Sequence, residues 1–130
     1  MAKCTGAALV SAIQRMMKRD YPNVRVRKLA DAWTRGYPDL QMVFVVESGG
    51  PLLNGDGTWH SNIWLRLLEV ECKAGSGKLS DIQRAERDKM RKVTDGCSEY
   101  KWLTANSAQD VADALEEMGC KKVSQRKDRS

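Results

Sequence analysis

The stretch Leu68-Glu69-Val70-Glu71-Cys72-Lys73 forms the charged end of a long strand pattern. Side chains alternate between the two faces of a strand, so Glu69, Glu71 and Lys73 share one face. Carboxylates that converge at a strand end are donors that Mg²⁺ prefers, and a neighbouring lysine offsets charge on a phosphate. The stretch therefore predicts a hard-cation site. The alternative is a solvated strand face with cross-strand ion pairs.

The segments on either side alternate between helix and strand patterns. Apolar residues at helical spacing, together with capping and stop signals, predict three helices over residues 5–19, 80–94 and 107–118. The apolar face of the second predicted helix consists of Ile82, Ala85, Met90 and Val93. Residues rich in β-formers predict strands at 24–29, 40–46, 59–73 and 101–104, with a hairpin-type loop at 48–57. The order α-β-β-β-α-β-α predicts a single α/β domain with a mixed sheet flanked by helices.

The length of 130 residues allows one domain, which we place at residues 1–123, followed by a basic tail at 124–130 that we expect to be disordered. The most continuous apolar run, residues 40–46, is far shorter than the roughly 20 residues of a membrane-spanning helix. The first residues lack an apolar signal core. These features predict a soluble, cytoplasmic protein that does not contact a membrane.

The residue counts exclude several chemistries. His60 is the only histidine, so sites built on two or three histidines are excluded. The four cysteines contain no C-x-x-C spacing, which excludes zinc ribbons and redox motifs. The sequence Gly75-Ser76-Gly77-Lys78 lies where a phosphate-binding loop would lie, but Cys72 and Leu79 occupy two of its defining positions. We therefore expect no nucleotide cofactor.

The charge of the chain favours a polyanionic partner. Twenty-two Lys and Arg against 17 Asp and Glu give a formal net charge of +5. No strongly apolar helix face accompanies the basic residues, which favours nucleic acid over a membrane surface. The residues predicted to bind DNA lie in one basic stretch and are Arg25, Arg27, Lys28 and Arg35.

Three short motifs follow one another along the chain: Gly36-Tyr37-Pro38-Asp39-Leu40, then Leu68-Glu69-Val70-Glu71-Cys72-Lys73, then Leu79-Ser80-Asp81-Ile82-Gln83. Together they resemble the PD-(D/E)xK nuclease superfamily, and more narrowly its VRR-NUC (virus-type replication-repair nuclease) family, including the small stand-alone versions of phages and bacteria. The resemblance covers about residues 5–118. It implies a restriction-endonuclease-like fold with an α-β-β-β-α-β core.

The resemblance also implies a set of site residues. Asp39 and Glu71 would ligate Mg²⁺ or Mn²⁺, and the backbone carbonyl of Cys72 would add a ligand. Lys73 matches the catalytic lysine, and Gln83 matches a helix glutamine that supports the lysine or the attacking water. A second interpretation of Gln83 stays open, because the sequence from Ser80 to Gln83 is also a helix capping box.

The function implied is metal-dependent hydrolysis of phosphodiester bonds in DNA, in structured substrates such as flaps, branches or junctions, leaving a 5′-phosphate and a 3′-hydroxyl. Small stand-alone relatives are dimeric, so a homodimer is expected, with residues 50–53 as a candidate interface and Trp59, Trp64 and Trp102 in the core or at the dimer surface. The family usually supplies a further glutamate from the first helix, whereas residues 9–19 contain no acid. Glu69 and Asp20 are candidates to replace it. The rival hypothesis is a nuclease-fold module that binds DNA or protein without catalysis.

Overall fold

The structure, a computed structural model, describes residues 6–29, 37–47, 50–73 and 78–123. The helices in this part of the chain are α1 (Gly6–Asp20), α2 (Asp81–Val93) and α3 (Ala108–Glu117). The strands are β1 (Arg25–Lys28), β2 (Leu40–Glu47), β3 (Leu52–Leu53), β4 (Trp59–His60), β5 (Ile63–Cys72) and β6 (Tyr100–Ala105). The predicted α/β class is thus confirmed. The predicted tail at 124–130 lies outside the described residues.

Four of the strands form one mixed sheet, in the order β1-β2-β5-β6. β2 pairs antiparallel with both β1 and β5, whereas β5 and β6 are parallel. A parallel pair requires a crossover connection, and α2 lies in the connection between β5 and β6. β3 and β4 form a separate two-stranded hairpin.

The two faces of the sheet differ in what covers them. The inner face packs on α1 and α3 in one apolar cluster that includes Met42, Leu68, Ile13 and Leu115. Residues of opposite parity form the outer face, to which Gln41, Glu69, Glu71 and Trp102 belong by register. Glu69 and Glu71 therefore lie on the face turned away from α1 and α3.

The prediction of one continuous strand over residues 59–73 is wrong. Residues 61–62 separate β4, which pairs with β3, from β5, which pairs with β2 and β6. The turn between β3 and β4 is held by the backbone bond from Asn54 N–H to the Thr58 carbonyl (2.7 Å) and by the Asp56 carboxylate, which accepts from Thr58. A run of strand-forming residues does not mark the point where a strand changes partners.

Helix α2 does not bury the apolar face predicted for it. None of its residues is buried, and Val93 is 82% exposed. Its position is fixed at its N-terminus instead, by a capping box and by a contact of Gln83 with β5. Among the described residues, no helix is long and apolar enough to cross a bilayer.

Candidate metal centre

The antiparallel register of β2 and β5 brings Asp39 to the charged end of β5. Leu40 pairs with Val70, so Asp39 falls opposite Glu71. Asp39 stays in the ladder, because its carbonyl accepts from Leu29 N–H at 2.9 Å. Its carboxylate Oδ2 accepts from the backbone N–H of Cys72 at 2.8 Å. Two blocks more than thirty residues apart in sequence are thereby joined by a direct hydrogen bond.

Glu71 is the centre of the site and is almost fully enclosed, with 3% of the residue exposed. Its Oε1 accepts from Gln83 Nε2 at 2.7 Å and lies 3.7 Å from Lys73 Nζ. Its Oε2 is buried and has no hydrogen-bond partner in the part of the chain that the structure describes. Buried carboxylate oxygens are rarely left unpaired, because the lost hydration is uncompensated. This oxygen is therefore a candidate metal ligand.

The capping-box interpretation of Gln83 is confirmed by the geometry. Its side-chain Oε1 accepts from Ser80 N–H at 2.9 Å, and Ser80 Oγ accepts from Gln83 N–H at 3.2 Å, which completes the capping box. The other end of the same amide, Nε2, donates to Glu71. The start of α2 therefore fixes the orientation of a candidate metal ligand. Gln83 contacts Glu71 and makes no described hydrogen bond to Lys73.

The environment of Glu71 favours its neutral form when no cation is present. The pKa of Glu71 is raised to about 7, first by burial and then by the neighbouring Asp39 carboxylate, while the Lys73 ammonium acts in the opposite direction. Burial and the same two carboxylates raise the pKa of the Cys72 thiol to about 12, which keeps it a neutral apolar group. A cation beside Asp39 and Glu71 would reverse the balance at Glu71.

The residues present fit a hard divalent cation. Asp39 and Glu71 supply oxygen donors, Glu71 Oε2 has no hydrogen-bond partner among the described residues, and the Cys72 backbone N–H bonds the Asp39 carboxylate. No group of three or more His, Cys, Asp or Glu in the described ranges is placed to hold a metal. Two carboxylates with a backbone carbonyl match Mg²⁺ or Mn²⁺, which keep several waters, and do not match the closed sites of zinc.

Neither acid suggested as a replacement for a first-helix glutamate is placed to act as one. The Glu69 carboxylate, on the same strand face as Glu71, is buried and accepts from the Tyr100 hydroxyl at 2.6 Å. Asp20 pairs with Arg19 at the last residue of α1. Gly6, the first residue of α1, lies against the Cys72 carbonyl at the candidate site. Asp20, at the other end of α1, is about 20 Å from Gly6 along the helix axis.

The predicted DNA-binding residues divide between the two faces of the sheet. Arg25 and Arg27 pair with Val43 and Gln41 and so lie on the outer face with Glu71. Lys28 pairs with Leu40, whose side chain lies on the inner face. Arg35 lies outside the described residues.

Tyr100 and Trp102 were not predicted as neighbours of the site. Trp102 is buried, whereas Trp59 and Trp64 are exposed. Trp102 pairs with Glu69 across the parallel β5–β6 ladder, and the Tyr100 hydroxyl bonds the Glu69 carboxylate. No short-range signal gives the register of a parallel pair whose strands are separated by a helix. The alternating pattern of Tyr100 and Trp102 with Thr104 was the one available sign that they share a face.

Comparisons with protein-family models, with curated proteins and with solved structures found no match for this chain. The site combines two carboxylates and a lysine at one end of the neighbouring strands β2 and β5 with an amide that orients one of the carboxylates.

We expect the amide of Gln83 to matter for cation binding and not only for the helix. Gln83→Ala removes the donor to Glu71 Oε1 and should weaken Mn²⁺ binding by about tenfold, the lower end of the effect of losing a group that orients a ligand. Ser80→Ala is the matched control, because it removes the capping hydroxyl and leaves the Gln83–Glu71 bond. Calorimetric titration with Mn²⁺ measures both. Equal weakening by the two variants would contradict the positioning role.

The buried carboxyl of Glu71 also predicts a pH dependence of stability in the metal-free protein. Its pKa is about 7 in the folded protein and about 4.5 when unperturbed, so the folded state binds more protons between these values. The free energy of unfolding therefore falls as pH rises through this window, with a loss of about 3 kcal/mol from this group once pH exceeds 7. Glu71→Gln should remove this dependence.

The measurement is urea unfolding in EDTA from about pH 5 to about pH 8. The stability of Glu71→Gln relative to the unsubstituted protein should increase with pH. Glu47→Gln, which removes an exposed carboxylate at the other end of β2, is the control. A pH dependence no different for the two variants would show that Glu71 is not buried as described.

Proposed function

We propose that this protein is a divalent-cation-dependent nuclease that hydrolyses phosphodiester bonds in DNA. The observation that supports this most is the convergence of Asp39, Glu71 and Lys73, with one buried carboxylate oxygen left without a partner. The resemblance to VRR-NUC nucleases and the α/β sheet order support a restriction-endonuclease-like core. The resemblance also supports structured DNA, with flaps, branches or junctions, as the substrate.

In this proposal each residue has a defined task. Asp39 and Glu71, with the Cys72 carbonyl, would hold Mg²⁺ or Mn²⁺, which when bound supplies Lewis-acid activation of water and of the phosphate. Gln83 holds the Glu71 carboxylate in place. The Lys73 ammonium, on the same strand end, offsets negative charge that develops on the phosphate oxygens. Asp39, Glu71 and Lys73 lie at one end of the neighbouring strands β2 and β5, and the exposed strand β1 beside them suits a long polymeric substrate.

We also propose a homodimer, assembled through the hairpin β3–β4 and the neighbouring end of β5. The hairpin pairs with no strand of the main sheet, and a two-stranded hairpin alone is marginally stable in water. Its large apolar side chains are exposed, with Trp59 at 66% and Leu53 at 60%. Leu65 on β5 is exposed as well. An apolar surface of this kind marks an association site, and a second copy would bury it symmetrically.

Three substitutions on one strand face test the chemistry. Lys73→Ala should lower kcat by about 10²–10³-fold, the usual cost of losing one charge-stabilising group, and keep Mn²⁺ binding. Glu71→Gln should lose activity through weaker cation binding, so that excess Mn²⁺ restores part of it. Glu69→Gln is the matched control, because an amide oxygen still accepts from Tyr100, and it should retain most of the activity.

The assay uses labelled single-stranded, duplex, flap and four-way DNA, with and without Mn²⁺. Cleavage that survives Lys73→Ala, or that Glu69→Gln abolishes as fully as Glu71→Gln does, would contradict the proposed roles. Protein that binds DNA and cleaves none of these substrates with Mn²⁺ would be the non-catalytic module instead.

Sedimentation velocity tests the dimer. Asp in place of both Leu53 and Trp59 should raise the dimer dissociation constant by at least about 100-fold, since two central apolar contacts are lost. Val93→Asp, which places one negative charge on a still more exposed apolar position of α2, should leave it unchanged. If the unsubstituted protein is monomeric at about 100 μM, its dissociation constant is above that of ordinary stable interfaces, and the interface is ruled out.

A further inference from the structure

Near the candidate metal centre, the outer face of the sheet has a closed half and an open half. Glu69 and Glu71, at the C-terminal end of β5, and Trp102 on β6 are buried on this face. On β1, at the sheet edge beyond β2, Arg25 and Arg27 are exposed. The candidate metal centre lies where the two halves meet, since Asp39 precedes β2 and Glu71 belongs to β5.

The register of β1 and β2 fixes how far the arginines lie from that centre. Arg27 pairs with Gln41, two residues along β2 from Asp39. With a strand spacing of about 4.8 Å and a rise of about 3.4 Å per residue, the Arg27 and Asp39 Cα atoms are about 8 Å apart. Arg25 lies two residues farther from the centre on the same face. The two arginines thus lie at increasing distance from the metal centre along one strand and on one face.

These charges have no counter-ion within the described part of the protein. The ion pairs found there involve neither Arg25 nor Arg27. On α2, which flanks the other side of the centre, the two arginines nearest Gln83 are paired, Arg84 with Asp81 and Arg87 with Asp88, whereas Lys89, farther along the helix, is in none of the ion pairs found there. The unpaired cations next to the site on the open half are therefore available for an anionic ligand.

We propose that Arg27, and Arg25 farther from the centre, bind the phosphates next to the reacting phosphate. The DNA strand then runs across β1 and β2 to the metal centre. The inference rests on the proposed nuclease function and adds the direction in which its substrate lies. The guanidinium fork binds a phosphate through two parallel hydrogen bonds and suits this task. Lys28 belongs to the other face and takes no part.

Arg27 is a positioning residue in this arrangement, because it holds a phosphate that does not react. Its loss shifts the substrate relative to Asp39 and Glu71 and so raises KM for DNA. A replacement that keeps the charge but not the fork, Arg27→Lys, recovers the electrostatic part of the grip and not the bidentate part.

The experiment measures DNA affinity by fluorescence anisotropy in EDTA, over a range of NaCl concentrations, so that the result does not depend on cleavage. Arg27→Ala should weaken binding about tenfold and reduce the slope of log K against log salt by about 0.9, the value for one phosphate contact. Arg27→Lys should restore the slope and only part of the affinity. Lys28→Ala, a neighbouring exposed cation on the opposite face, is the matched control and should change neither quantity.

Equal effects of Arg27→Ala and Lys28→Ala would overturn the proposal. So would a larger loss of slope in Lys89→Ala, which would place the strand over α2. DNA that binds with the expected slopes and is never cut with Mn²⁺ would refute the nuclease function and leave the binding path standing. Absence of DNA binding would refute both.

Discussion

The hydrogen bond from the Cys72 backbone N–H to the Asp39 carboxylate depends on one register, that of β2 against β5. A slip of one residue would move every side chain of β5 to the other face. Glu69 and Glu71 would then point into the apolar cluster that now surrounds Leu68, and Val70 would move to the outer face. Burial of the inner face therefore enforces the same register that the candidate site needs. Packing and chemistry are determined together.

Burial also sets the electrostatic character of the site. Glu71 is enclosed beside a second carboxylate, and its pKa is raised because the one nearby cation, Lys73, does not compensate for the lost hydration. In the absence of a divalent ion such a group destabilises the folded protein at neutral pH. A cation bound between Asp39 and Glu71 would convert this penalty into affinity, because it favours the ionised form of both carboxylates.

Local patterns predicted the parts of this fold that depend on local interactions. The strand over residues 40–46 and the helix that begins at Ser80 follow from β-forming side chains and from a capping sequence, and the structure has both. Patterns failed where the outcome depends on partners. The break before Ile63 reflects a change of paired strand, and the exposure of Val93 depends on which surface of α2 faces the sheet. Neither is encoded by neighbours in sequence.

The site shows the same division. Spacing within β5 placed Glu71 and Lys73 together, and their ion-pair distance agrees with that. For Gln83 the sequence predicted the capping box, which depends on local neighbours, but not the bond from its Nε2 to Glu71, which joins the helix to β5. Tyr100 escaped notice because its bond to Glu69 joins strands separated by a whole helix. The split of Arg27 from Lys28 required the β1–β2 register, which a short, imperfect alternation does not specify.

The number of oxygen donors argues for a single cation in the proposed mechanism. Asp20 lies at the far end of α1, and Glu69 is engaged by Tyr100, so that within the described ranges Asp39, Glu71 and the Cys72 carbonyl remain as oxygen donors. These fill about half of an octahedral shell, so the remaining positions are open to water and to phosphate oxygens. A second cation would have to share the same two carboxylates and would add charge without adding donors. Lys73, within 4 Å of Glu71, occupies the place where a further positive charge is useful. The available oxygen donors therefore fit one cation together with the lysine better than they fit two cations.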